Sequence, residues 1–210
     1  VLPGGQRTPA GAASAPLRMG ASPGRTRRPG DRPTLPASTG SEATRTGGGR
    51  FFEDPTQSDR RRGFIYQRGW YRIIDVGPGQ TEIRGINNRG DLVGTYVEPS
   101  GEIIGWIQER GARWWRSGPV VFVTVPGSDR NILSGINGRR LAVGTYRPTG
   151  TPVPVFRESY LYDDGDLTLP LTFPGAVSTR ALDINNRGII AGTFDVFSYG
   201  FLAQPVACTP

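Results

Sequence analysis

The chain has 210 residues, with 25 basic side chains against 18 acidic ones, a formal charge of +7, and neither His nor Lys. Without those two residue types there is no Ser-His-Asp triad, histidine zinc site, lysine Schiff base or P-loop lysine, and carboxylate chemistry of the glycosidase kind is what remains. The one cysteine, Cys208, has no second thiol in the chain to pair with, no stretch approaches the roughly 18 apolar residues of a membrane span, and Val1-Leu2 runs into Pro3-Gly4-Gly5 without the apolar core of a signal peptide.

Residues 1–62 carry eleven Arg against five acids, and residues 63–210 carry fourteen against thirteen. The basic character therefore belongs to the N-terminal arm. That arm is otherwise mostly Gly, Pro, Ala, Ser and Thr. Low hydrophobicity with excess charge does not repay the entropy of ordering, so 1–62 reads as a disordered arm. Arg25, Arg27, Arg28, Arg32 and the run Arg60-Arg61-Arg62 offer a polyanion or nucleic acid a counterion-release surface. No aromatic residue precedes Phe51 to stack on a base. Polyanion binding is thus an alternative behind a plain spacer.

From residue 63 the pattern changes to short β-branched and aromatic runs punctuated by Gly, Pro and Asn. A small residue, an aromatic and then Ile or Leu recurs at Gly63-Phe64-Ile65, Gly105-Trp106-Ile107, Ser159-Tyr160-Leu161 and Gly200-Phe201-Leu202. Between these lie three segments that align without gaps: 85–96 (GINNRGDLVGTY), 135–146 (GINGRRLAVGTY) and 183–194 (DINNRGIIAGTF). Pro-Gly ends each unit at Pro78-Gly79, Pro126-Gly127 and Pro174-Gly175. The unit reads as four strands: A, ending at Gly-Ile-Asn; B, Val-Gly-Thr-Tyr; C, the small-aromatic-Ile run; and D, such as Val121 to Val125.

Asn87-Asn88-Arg89-Gly90 has the composition of a tight A–B turn, whereas Gly138-Arg139-Arg140 moves the glycine forward and predicts a looser one. The middle unit carries a six-residue insertion around Trp115 to Val120. The domain then spans 63–203 with about three units, followed by a tail at 204–210. The array runs from strand C to strand C, so its ends fall inside units. This predicts further units elsewhere, or ends that pair with each other or self-associate through open strand edges.

Arg113-Trp114-Trp115-Arg116 is the one chemically suggestive surface, because neighbouring strand residues face opposite ways and an exposed Trp beside Arg suits stacking on a sugar ring or a base. The competing reading puts both indoles in the core. Asp163-Asp164-Gly165-Asp166 and Asp183-Ile184-Asn185 have calcium-like acids, yet their sister positions are plain turn residues, and both read as turns. No catalytic, cofactor or metal residue is assigned.

The whole pattern resembles the HAF-type extracellular repeat of bacterial secreted and surface proteins: Gly-Ile-Asn, Gly, Ile-Val-Gly, His-Ala-Phe-Leu, a turn and Pro-Gly. The likeness covers 63–203. It departs at His-Ala-Phe, which here reads Ile104-Gly105-Trp106, Glu158-Ser159-Tyr160 and Tyr199-Gly200-Phe201. The resemblance implies an exported, propeller-like repeat protein. The expected fold is therefore all-β with tandem four-stranded repeats, with a β-trefoil or β-prism as the alternative closure. The expected function is a non-catalytic binding or structural module at the cell surface, its partner a glycan or a protein. A carboxylate-dependent glycoside hydrolase is the remaining alternative.

Overall fold

The computed structural model describes residues 17–21, 46–54, 57–67, 70–111, 117–151, 158–195 and 199–205. Among these there is no helix. The first strands are β1 (Leu17–Ala21), β2 (Thr46–Asp54), β3 (Gln57–Gln67) and β4 (Trp70–Ile74). Next come β5 (Gln80–Ile86), β6 (Leu92–Val97), β7 (Ile103–Arg110) and β8 (Ser117–Val123). The chain continues through β9 (Ser128–Ile136), β10 (Ala142–Pro148), β11 (Glu158–Asp163) and β12 (Asp166–Leu171). It finishes with β13 (Thr179–Ile184), β14 (Ile190–Phe194) and β15 (Tyr199–Pro205).

Strand pairing follows the repeat. β5-β6-β7-β8 and β9-β10-β11-β12 are antiparallel meanders in the order A, B, C, D, joined into one eight-stranded sheet by a single parallel pairing of Ile103 with Arg130. β13-β14-β15 supplies A, B and C of another unit. Its fourth strand is β1, antiparallel to β15 from Leu17 opposite Pro205 to Ala21 opposite Phe201. β2-β3-β4 forms a separate sheet. Among the described residues no sheet closes into a barrel.

Three sequence readings change here. The arm boundary at 62 falls inside β3, and the supposed arm contributes β1, β2 and part of β3; residues 1–16 and 22–45 lie outside the described residues. The array also does not start and stop at strand C. β2 occupies position B of a first unit, and β1 occupies position D of the last, so the free edge expected on β15 is paired. The D strand of the middle unit is Ser117–Val123 rather than 121–125, because the insertion lengthens the β7–β8 hairpin.

One cross-strand pair recurs in every unit. Gly49 opposes Phe64, Gly94 opposes Trp106, Gly144 opposes Tyr160 and Gly192 opposes Phe201. A Cβ on Gly94, Gly144 or Gly192 would stand 2.9, 2.7 or 2.6 Å from that ring, and closer still to the carbonyl of Glu82, Ile132 or Arg180 on strand A. The aromatic of strand C thus covers the glycine of strand B, which is why Gly is repeated in a strand interior.

Each core lies between consecutive units rather than within one. Ile65 and Ile74 of the first unit meet Trp106 and Leu92 of the second. Val93, Ile107 and Val123 of the second meet Leu133, Tyr160 and Tyr162 of the third. Val143, Leu161 and Leu171 of the third meet Ala181, Ile184 and Phe201 of the fourth. Every unit therefore has a leading face, built around its aromatic, and a trailing face, built of aliphatic residues.

Candidate functional site

The three A–B turns stand side by side, each built on one asparagine. Oδ1 of Asn87 accepts the backbone N–H groups of Arg89 and Asp91, both at 2.9 Å. Asn137 Oδ1 accepts those of Arg139 (2.9 Å) and Leu141 (3.1 Å), and Asn185 Oδ1 those of Arg187 (2.9 Å) and Ile189 (3.0 Å). The amide nitrogen reaches the next unit. Asn87 Nδ2 donates to the Asn137 carbonyl at 2.9 Å, and Asn137 Nδ2 donates to the Asn185 carbonyl at 3.1 Å. Only a carboxamide of this length carries the acceptor for its own turn and the donor for its neighbour; an ionised Asp would accept only.

The middle turn is as closed as its sisters, contrary to the looser hairpin expected. Asn137 N–H donates to the Leu141 carbonyl at 2.9 Å and Arg140 N–H donates to Asn137 at 3.0 Å. Arg140 itself takes φ 69°, where the other two turns place Gly90 (88°) and Gly188 (81°). A left-handed conformation is unfavourable for a side chain of this kind. What Arg140 gains is a pair of carboxylates on the preceding unit: Asp91 at 3.3 Å and Glu109 at 2.7 Å. Asp91 is buried. Burial alone would raise its pKa, but the Arg110 N–H, the Asn87 amide and the Arg140 guanidinium together hold it below the ordinary carboxylate range.

Next to these turns, the ends of β5, β9 and β13 enclose a cleft of about 480 Å³ lined by Arg84, Asn88, Ser134, Leu182, Asp183 and Asn186, among others. Asp183 is the only acid among its described lining residues. It sits at the strand end rather than in the turn, with Oδ1 accepting the Ile184 N–H at 2.8 Å. The residue is open to solvent on one side, while its carboxyl rests against Gly135, where a Cβ would come within 2.6 Å of Oδ1. Burial of the carboxyl pushes its pKa up, partly offset by the Ile184 N–H. Arg84 donates to Thr95 Oγ1 at 2.8 Å and pairs with Glu82 at 3.3 Å, and Glu82 also pairs with Arg50 at 2.6 Å. Burial lowers the pKa of Arg84 and of Arg180, and the Arg84 charge lowers that of Arg180 further. The cleft thus has one guanidinium, already paired with Glu82, to one side, amides along its rim and one acid at its mouth, a lining that suits a polar, hydroxyl-bearing ligand.

A second cleft, of about 590 Å³, has two acids among its lining, Asp75 and Glu98. Both are engaged: Asp75 pairs with Arg62 at 3.5 Å, and Glu98 accepts from Ser100 Oγ at 3.2 Å. Asp75 is exposed.

Of the residues singled out from sequence, Arg113, Trp114, Trp115 and Arg116 lie outside the described residues, as do Arg25, Arg27, Arg28 and Arg32. Asp164-Gly165 is the hairpin turn between β11 and β12, with φ of 45° and 107° and with Asp163 opposite Asp166. Positive φ at both central residues is the type I′ pattern, so that acidic run serves the turn. Sequence reasoning did not single out Arg84, nor the inter-unit bonds of Asn87 and Asn137. The 50- and 48-residue spacing of Asn87, Asn137 and Asn185 was the available signal.

Comparison with protein-family models, with curated proteins and with solved structures finds no match to this chain.

Proposed function

We infer that the chain is a non-catalytic repeat module of a secreted or cell-surface protein, and that it binds a glycan or a polar protein surface at the cleft beside its three asparagine turns. The observation that carries this reading is that three units bring the same turn to one place, side by side, around a cleft whose amides and single acid suit hydrogen bonding to hydroxyls. All three asparagines close their own turns, and Asn87 and Asn137 also join successive units. The face-to-face packing of successive sheets, with their A strands flanking the cleft, supports a propeller-like arrangement. The HAF-type pattern of 63–203 supports export.

The test is a glycan array and a surface-protein pull-down with the full chain, beside Asp183→Ala, which restores a small residue as at Gly85 and Gly135. Binding that drops about tenfold in Asp183→Ala, with unchanged melting, is expected for a cleft ligand held through this acid. Release of soluble product from a polymer, abolished by changing one acid, would make the protein an enzyme.

A further inference from the structure

The inter-unit interface is used three times inside the chain, and its two halves are each left over once. In the second, third and fourth units the leading-face aromatic is covered: Trp106 and Tyr160 are fully buried and Phe201 is 3% exposed. In the first unit three residues of the corresponding face are exposed. Phe64 and Tyr66 on β3 and Tyr71 and Ile73 on β4 share it by register. Tyr66, Tyr71 and Ile73 are 38%, 72% and 50% exposed. At the other end, the fourth unit's trailing face places Ala191 and Leu202 where the second unit has Val93 and Ile107 and the third has Val143 and Leu161. Those four pack on the following unit. Leu202 is 54% exposed.

A second feature fits the two ends to each other. On the trailing side, a Cβ at Gly85 would come within 3.1 Å of the Ser134 carbonyl and 3.2 Å of Gly135, and one at Gly135 within 2.7 Å of the Asp183 backbone. Strand A of each following unit therefore demands glycine from the unit before it. The fourth unit has Asp183 at this position. It tolerates only a follower that brings no A strand there. Among the described residues the first unit is β2-β3-β4, in positions B, C and D, with no A strand.

We propose that the trailing face of the fourth unit in one molecule receives the leading face of the first unit in a second copy of this chain, so that molecules associate head to tail. The contact continues the chain's own inter-unit interface, with Leu202 against the Tyr66, Tyr71 and Ile73 face and Asp183 where the described strands β2-β3-β4 bring no A strand. Such a heterologous contact makes a ring if the rotation closes and a filament if it does not. Exposed apolar faces of this sort are where protein contacts form.

Sedimentation velocity on the full chain over a range of concentrations tests this, with Ile73→Glu and Tyr71→Glu on the leading face and Leu202→Glu on the trailing face. All three positions are exposed, so circular dichroism and melting should match the parent. The parent is expected to form oligomers larger than dimers. Each variant alone should need at least about tenfold higher concentration to assemble, as expected for a charge forced into an apolar contact. An equimolar mixture of a leading-face and a trailing-face variant should give a 1:1 dimer that grows no further. A parent that stays monomeric at every concentration would overturn the proposal and leave the face to residues 22–45 or to another protein. Assembly lost only in the leading-face variants, with no dimer in the mixture, would overturn it in favour of a symmetric contact.

Discussion

Gly144→Ala is expected to unfold the chain or to destabilise it by about 3 kcal/mol or more, measured by urea titration. The added Cβ meets the Ile132 carbonyl on one side and the Tyr160 ring, 2.7 Å away, on the other. A flexible neighbour would give way, but a backbone carbonyl held in a ladder does not. For the same reason a second change, Tyr160→Ala, should not rescue it, since the carbonyl stays. Gly200→Ala is the control. Its Cβ would come no nearer than 3.8 Å to any neighbouring atom, and the third unit already has Ser159 at that position, so its effect should stay within about 0.5 kcal/mol.

The second large effect is expected at Asn137. It is 2% exposed, it closes its own turn, and it sits in the middle of the stitch between units. Asn137→Ala removes the acceptor for two backbone N–H groups and the donor for the Asn185 carbonyl, a loss of about 2–4 kcal/mol when such groups are left poorly satisfied. Asn137→Asp should not rescue it, because a carboxylate keeps the acceptor but brings a second acceptor against the Asn185 carbonyl. Asn185→Ala is expected to cost only about 1 kcal/mol. Asn185 is exposed, its turn N–H groups can turn to water, and its amide nitrogen makes no stitch among the described residues. Equal losses at 137 and 185 would show that the stitch between units contributes nothing.

Much of this architecture was legible in the residues. Strands A, B and C of the three aligned segments fall where Gly-Ile-Asn, Gly-Thr-Tyr and the aromatic runs put them, because alternation, β-branching and turn residues agree at those places. β2 was not legible. Its Gly47-Gly48-Gly49-Arg50 reads as arm, yet Gly49 lies opposite Phe64 like the other strand-B glycines, and a Cβ at Gly48 would come within 2.8 Å of Ile83. The close approach to β5 required the very composition that hid the strand. β1 was hidden for a different reason: five residues without a turn partner carry no local signal, and their pairing is with the far end of the chain.

The candidate site was half legible. The repeated asparagine stood out, but whether its amide served chemistry or packing depended on which carbonyl lay beyond it. Asp183 looked like a turn variant of Gly85 and Gly135 and is instead a strand residue in space that the following unit's strand occupies elsewhere. Arg140 looked like a damaged turn, and the carboxylates that hold it lie 31 and 49 residues away in sequence. Long-range pairs of this kind leave no mark in a local window.

The central claim is that the chain is an array of four such units, the last completed by its own N-terminal strand. The most direct measurement is oxidative cross-linking of Gly20→Cys with Leu202→Cys in a Cys208→Ser background, at dilution, read as an intramolecular mobility shift. These two residues are register partners across β1 and β15, and such partners lie within reach of a disulfide. The account predicts rapid cross-linking of 20 with 202 in the folded chain, and much slower cross-linking of Arg18→Cys with Leu202→Cys, two residues out of register. Absence of the first cross-link, or equal rates for the two pairs, would contradict it.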